Sequence, residues 1–410
     1  MLSFVSQSIF DSGKGFMNFD RRIFLAGASA AGLGCALPHE MLAGGYRGPI
    51  AHEIAQADQT LATPKYKIRF AVAGMSHDHI YGMVGAIQRG GGELVMAQGT
   101  EPDKVAAFKK RFPDVKWAAT EDEVLHDSSI QLVLSSKIAS ERAPLGVRVM
   151  RAGKDFLSDK PGITTLEQLA EVRKTIAETK RIYGVMYSER LEVKGSVKAG
   201  DLVRAGAIGR VIQTINIAPH QINQNAGDNG GGGGRPDWFW NDAQYGGILC
   251  DIGSHQVDQF LYYTQSTEAE VVASQIANVA HHDHPHFQDF GDMMLRGNRG
   301  FGYVRLDWFT PAGLGTWGDG RLFILGTEGY IEVRKYTNVA VSKQGNNLFI
   351  VDAKQARYID CNNVTLPFGP QFVADVVNRT HTAQDQAQCL LTAELSIKAQ
   401  KSAKFVKLEA

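Results

Sequence analysis

The sequence predicts an α/β domain built on a parallel sheet, followed by an α+β domain whose sheet is open-faced and mostly antiparallel. Three observations predict it. Residues 67–190 alternate short β-rich runs with helix-compatible stretches, and several strand-like runs without helices between them follow residue 190. A chain of 410 residues with 44% hydrophobic content is also too long for one ordinary core.

Residues 67–73 read KIRFAVA, a strand, followed by Gly74 and a helix over 80–89. Residues 93–98 form a second strand, 102–111 a helix and 130–134 a third strand. A helix over 143–152, a strand edge over 155–157, a helix over 166–179 and a strand over 182–186 complete the alternation. Repeats of strand, helix and strand imply parallel βαβ units. Beyond Arg190, residues 211–218, 268–280, 289–295, 300–309 and 330–333 read as strands. Residues 371–401 have helical character and are expected to return to the first domain. The loop 223–235 holds five consecutive glycines, Gly230 to Gly234, and reads as a surface segment.

The 43 basic and 43 acidic side chains cancel, so no overall field draws nucleic acid or an anionic membrane. A small molecule is the expected partner. Cys35, Cys250, Cys361 and Cys389 form no CxxC pair or zinc-like cluster.

At the N-terminus, Asp20-Arg21-Arg22-Ile23-Phe24-Leu25 precedes a Gly/Ala-rich apolar run over 23–37, the layout of an export signal. The adjacent arginines read as a twin-arginine signal. The run is shorter than the roughly 20 apolar residues of a membrane span. A soluble, exported, periplasmic or extracytoplasmic protein is therefore expected, cut after Ala57 or nearer Ala43.

A strand, turn and helix in this order suit dinucleotide binding, which needs a tight turn so that backbone N–H groups can hold a pyrophosphate. Gly74 stands in that place, but the glycines expected after it are replaced by Met75-Ser76-His77-Asp78-His79. Ser76 is small enough to let the backbone approach. His77 and His79 are expected to serve capping and cofactor packing, with no metal bound. The acid that usually closes the second strand comes about two residues late, as Glu101. Either Glu101 reaches the ribose of NAD, or the gap admits the 2′-phosphate of NADP.

Residues 153–161 read GKDFLSDKP and residues 246–258 read GGILCDIGSHQVD. These two motifs, about 90 residues apart ahead of a strand-rich second half, resemble the Gfo/Idh/MocA oxidoreductases. That family carries Glu-Lys-Pro at the end of its nucleotide domain and a GGxxxDxGxHxxD helix; here Asp159 replaces the Glu. The resemblance covers residues 67 to the C-terminus. It implies a Rossmann NAD(P)-binding domain over 65–190, a substrate and oligomerisation domain over 191–370 and a returning C-terminal helix over 371–410, with 1–57 as signal and linker. It also implies a cis or kinked Pro161 that sets Lys160 beside the nicotinamide, and cofactor contacts from Asp159, Ser135 and Ser136.

The residue types suit the chemistry. Oxidising a sugar alcohol needs a group to take the hydroxyl proton, and His255 is the candidate acid/base. Asp251 lies four residues earlier on the same helix face. Lys160, a compact cation, can bind the reacting hydroxyl. Asp258 reads as an orienting group for His255 or an exposed helix acid. Tyr187, Arg190, Trp238 and Trp317 are candidates to line a sugar pocket. The run His281-His282-Asp283-His284-Pro285-His286 reads as a polar hairpin loop.

Free nicotinamide cofactor is scarce outside the cytoplasm, so NAD or NADP is expected to be tightly bound and regenerated within each cycle. A sugar oxidoreductase is the first expectation. The alternative is a redox-neutral glycosidase or lyase that transiently oxidises C3, and a binding protein without catalysis is disfavoured by Lys160, Asp251 and His255. A homo-oligomer, dimer or tetramer, is expected to cover the open sheet face.

Overall fold

The computed structural model describes residues 50–58, 60, 63–222 and 235–409. The twin-arginine segment with Arg21 and Arg22, Cys35, and the glycine run Gly230 to Gly234 lie outside the described residues.

The alternation in residues 67–190 folds into a six-stranded parallel sheet. Its order is Lys116–Trp117, Gly92–Gln98, Ile68–Ala73, Leu132–Ser135, Asp155–Asp159, Tyr183–Met186. Chain order runs outward on both sides of the pair Ile68–Ala73 and Leu132–Ser135, which are in register through Phe70 with Leu132 and Val72 with Leu134. That pair is the switch point of a Rossmann sheet, and the crevice beyond its carboxyl ends is where such folds take ligands. Helices cover both faces, which is why Leu132–Ser135 and Tyr183–Met186 are buried at every position.

The second sheet has ten strands among the described residues. Its order is Ala51–Ile54, Ala356–Asp360, Asn347–Asp352, Gly329–Arg334, Arg321–Gly326, Val211–Pro219, Phe301–Asp307, Phe290–Gly297, Ala269–Ala277, Lys404–Phe405. Most pairs are antiparallel, as expected. The exceptions are Val211–Pro219 against Phe301–Asp307 and the two edge pairs.

Alternate residues of this sheet point to opposite faces. Leu322, Ile324, Ile331, Val333, Leu348 and Ile350 pack with Ala199 of the helix Lys194–Arg204. Met293, Leu295, Val304 and Leu306 pack with Val257, Phe260 and Leu261 of the helix Gly253–Thr264. The other face leaves Met294 and Tyr330 exposed, with a Phe323–Tyr330 ring pair at 5.1 Å and a Phe349–Tyr358 pair at 5.2 Å.

Several elements differ from the sequence reading. Ala51–Ile54, in the stretch read as linker, pairs in parallel with Ala356–Asp360. The strands Arg321–Gly326, Asn347–Asp352 and Ala356–Asp360 were not anticipated. Nor was the helix Lys194–Arg204, whose Gly195 and Gly200 lower its helix propensity. Packing explains both glycines: a Cβ on Gly200 would lie 2.7 Å from the Tyr262 hydroxyl, and one on Gly195 2.9 Å from a Val333 methyl.

The C-terminal region forms two helices, Phe368–Asn378 and Gln386–Ser402. Phe368, Phe372 and Val373 join the core of the parallel sheet. Cys389, Leu390, Ala393 and Ile397 belong to that core too, whereas Leu395 and Ala399 belong to the core under the helix Gly253–Thr264.

Candidate active site

The fifth parallel strand, Asp155–Asp159, ends at the crevice and hands the chain to Lys160, with a cis bond to Pro161. The Lys160 ammonium lies 2.8 Å from Asp251 Oδ1. Asp251 ends the short helix Ile248–Asp251, and Ile252 is itself helical (φ −75°, ψ −43°), so Asp251 and His255 keep the expected i, i+4 relation. Burial raises the Asp251 pKa, but the Lys160 charge and hydrogen bond outweigh it, so the carboxyl sits below its ordinary range. Lys160 and Asp251 are thus a charged pair across the seam between the two sheets.

His255 is 3% exposed, and its Nδ1 has no hydrogen-bond partner among the described residues. Tyr187 presents its ring edge to it at 6.4 Å. Burial holds the His255 pKa down to about 3, opposed by Glu189 and reinforced by Lys160. The ring is therefore neutral near pH 7.

Behind His255 lies a group that the sequence reading missed. Glu189 accepts hydrogen bonds from Lys335 Nζ at 2.6 Å and from Gln256 Nε2 at 3.0 Å, all three residues being buried. Burial pushes the Glu189 carboxyl up, but Lys335, then His255 and His220, bring it down to about 2. His220 faces Trp317 at 4.7 Å, and Trp317 faces Tyr336 at 4.2 Å, so Trp317 is brought to this side of the site. No local motif announces Lys335, which follows the strand Gly329–Arg334.

Two assignments need correction. Asp258 neither orients His255 nor lies exposed: it is buried and paired with Arg190 through Nε at 2.5 Å and NH2 at 3.0 Å. Arg190 is consequently committed to that pair and to the face of Tyr262, 4.4 Å from the ring centre, and does not line a pocket.

The turn after Ile68–Ala73 is tied to the end of the strand Leu132–Ser135. Ser136 N donates to Gly74 O at 3.2 Å, its Oγ donates to His77 O at 2.7 Å, and His77 N donates to Ser136 O at 3.0 Å. Ser135 Oγ accepts from Lys137 N at 3.3 Å. Gly74 has φ +84°, and a Cβ there would fall 1.9 Å from Lys137 Cγ, so only glycine fits. Ser76 Oγ donates to Glu101 Oε1 at 2.5 Å, which brings Glu101 to the mouth of the turn.

The capping role expected of His77 and His79 is not what they perform. Asp78 occupies the N-cap of the helix His79–Arg89 without a side-chain cap bond, and both imidazoles turn to the buried Asp159. His77 Nδ1 lies 2.7 Å from Asp159 Oδ2, and His79 Nδ1 2.9 Å from Oδ1. Arg142, buried and unforeseen, adds NH2 at 3.1 Å from Asp159 and binds the carbonyls of Lys160 and Pro161. Burial raises the Asp159 pKa, but Arg142 and both histidines hold it well below the carboxylate range. Burial lowers His77 to about 4. Trp238 meets His77 edge-on at 6.2 Å, which brings Trp238 to the site as well.

Residues 196–332 match the GFO/IDH/MocA C-terminal domain. Among solved structures, the chain is similar to a protein from Erwinia carotovora atroseptica provisionally named an oxidoreductase. The two are 45% identical, with a TM-score of 0.79, over 83% of this chain and 100% of that one. The fold is also that of a levoglucosan dehydrogenase in complex with NADH and levoglucosan, 15% identical, TM-score 0.68, over 82% of this chain and 97% of that one. A D-xylose dehydrogenase of Paenarthrobacter nicotinovorans is 25% identical over 157 residues. That match covers 38% of this chain and 39% of that relative's length. With a shared fold, a matching second domain and a full-length relative at this identity, the chain belongs to the GFO/IDH/MocA oxidoreductases.

Proposed function

We propose that the protein is a sugar oxidoreductase that works with a tightly held nicotinamide dinucleotide and interconverts a secondary alcohol and a ketone. One observation carries this reading: the Lys160–Asp251 pair and the neutral His255 stand together at the seam beside a Rossmann crevice. The D-xylose and levoglucosan dehydrogenases among the similar proteins support the sugar class.

The residues present fit a dinucleotide. The Gly74 turn follows the first strand, the helix His79–Arg89 begins just beyond it, and Glu101 follows the end of the second strand by three residues, the order in which a dinucleotide site supplies its pyrophosphate and ribose contacts. When bound, the nicotinamide exchanges a hydride with the sugar carbon. Lys160, fixed by Asp251, holds the hydroxyl oxygen and stabilises the negative charge that grows on it. His255 takes the hydroxyl proton on a ring nitrogen, and returns it in the reverse direction. Arg142, bound to the carbonyls of Lys160 and Pro161, keeps the lysine from drifting out of line.

The reading includes export by the twin-arginine route, which carries folded proteins and so suits a cofactor acquired beforehand. It also includes a homo-oligomer that covers Met294, Tyr330 and the aromatic pairs on the outer sheet face. Denaturing the purified protein should release about one nicotinamide per chain, identifiable by mass. Incubation with free sugar pairs should then give exchange of oxidation state without added cofactor. Cleavage of aryl glycosides without net redox change would favour the redox-neutral alternative, and a cofactor-free yet fully active preparation would overturn the reading.

A further inference from the structure

The turn that lacks its glycines carries two histidines instead, and they converge with Asp159. Candidate donor atoms of His77, His79 and Asp159 lie within 4.8 Å of one another, and the two imidazole centroids are 4.0 Å apart. We propose that His77, His79 and Asp159 bind one divalent transition-metal ion of the zinc class. The proposal goes beyond the oxidoreductase reading and does not depend on it.

The geometry is close to what such an ion requires. Both histidines direct Nδ1 at the same carboxylate, at 2.7 and 2.9 Å. Two donors of a tetrahedral zinc site stand roughly 3.4 Å apart, given metal–ligand distances of about 2.1 Å. Separations of 2.7 and 2.9 Å must open by about 0.5–0.7 Å to reach that spacing, and each imidazole must carry its proton on Nε2 so that Nδ1 offers its lone pair, which converts the hydrogen-bonded triad into a coordinating one. The carboxylate is held for this role, because Lys160 N donates to Asp159 Oδ1 at 2.8 Å and Arg142 NH2 lies 3.1 Å from Oδ2. Outer-shell donors of this kind orient metal-binding carboxylates. The His79 side chain is 42% exposed, which leaves a path for entry.

The donor set decides the class of ion. Two imidazoles and one carboxylate, without thiolate, suit zinc, cobalt, nickel or iron(II) rather than calcium or magnesium, which prefer all-oxygen shells. Charge decides what completes the shell. Asp159 already faces Arg142, so a bound divalent ion keeps excess positive charge and its open positions take an oxygen anion such as hydroxide, carboxylate or phosphate.

The test uses full-length, untagged, chelator-treated protein, titrated with zinc chloride by calorimetry and with cobalt chloride by visible absorption. A background variant, His281→Ala with His282→Ala, His284→Ala and His286→Ala, removes the four histidines of the loop between the strands Ala269–Ala277 and Phe290–Gly297. One ion per chain is expected in the wild type and in that background, with at least tenfold weaker binding in His77→Ala and in His79→Ala. Should a turn variant fail to fold, X-ray absorption of the zinc-loaded background protein gives the count directly, and two imidazole ligands are expected. No binding, binding unchanged in both turn variants, or fewer than two imidazoles would overturn the proposal.

Discussion

Lys160 Nζ lies 2.8 Å from Asp251 Oδ1, a contact that closes 91 residues of chain and joins the end of the parallel sheet to the helix carrying His255. Removing one member leaves the other as an unpaired, mostly buried charge, a loss of about 3–5 kcal/mol for a fully buried pair. Asp251→Ala should therefore lower both stability and turnover. A double variant, Lys160→Met with Asp251→Leu, should recover most of the stability and none of the activity. Chemical denaturation alongside steady-state assay separates the two, and recovery of turnover in the double variant would sink the catalytic assignment.

Burial keeps His255 near 3 and His77 and His220 near 4, below the 6.5 of an exposed imidazole. Below pH 6.5 the unfolded chain takes up protons that the folded chain refuses, so this stability is whole above pH 6.5 and lost as pH falls toward 4. For His255 alone the loss at pH 5 is about 2 kcal/mol, from 1.5 units at about 1.36 kcal/mol each. Unfolding midpoints in urea should fall between pH 7 and pH 5, with a shallower slope in His255→Leu. A slope unaltered by that substitution would contradict a buried neutral His255.

The Arg190–Asp258 pair lies apart from the chemistry, although Asp258 is three residues from His255. Both members are buried, and Gln388 Nε2 donates to Asp258 Oδ1 at 3.3 Å. Lysine lacks the fork that binds two carboxylate oxygens. Arg190→Lys should cost about 1–3 kcal/mol by leaving part of a charge-assisted network unmade, while KM for the sugar stays within about twofold. A large rise in KM would instead return Arg190 to the pocket.

On the proposed reading Glu101, which accepts from Ser76, meets the adenosine ribose of the bound dinucleotide. Like charges about 4 Å apart at an effective dielectric near 20 repel by about 4 kcal/mol, so NAD should bind over NADP by roughly tenfold or more. Glu101→Ser should narrow the ratio. Fluorescence titration of stripped protein with both cofactors measures it, and tighter binding of NADP to the wild type would refute the ribose role.

The strand Ala51–Ile54 pairs along its full length with Ala356–Asp360, and Ala55 N donates to Asp360 O at 2.9 Å. Cleavage after Ala57 would remove it, whereas cleavage near Ala43 would keep it. The exported protein should begin before Ala51, as intact mass will read, and replacing Arg21 and Arg22 with lysine should hold the precursor in the cytoplasm.

Five of the six parallel strands were legible because each is a short apolar run, with Gly74 and Pro161 as local marks, whereas the two-residue strand Lys116–Trp117 is too short to show a pattern. Lys160, Asp251 and His255 were legible because two short motifs carry them. What was hidden depends on partners far apart in the chain. Asp258 looks like an exposed helix acid until Arg190 meets it across 68 residues. His77 and His79 look like capping residues until Asp159 arrives 80 residues later in the same crevice. Glu189 and Lys335, 146 residues apart, have no pattern that marks them as a pair. The glycines of Lys194–Arg204 argue against a helix locally, and only Tyr262 and Val333 explain why they are there.

The helix Gln386–Ser402 has consequences for how this enzyme can be divided. Its Leu390, Ala393 and Ile397 complete one core and its Leu395 and Ala399 another. A chain stopped after Asp385 would bare two apolar surfaces at once, so neither half can be expected to survive as a separately expressed fragment. Both halves should melt in a single transition, and the carboxyl end is a poor place for a fusion partner that must displace this helix.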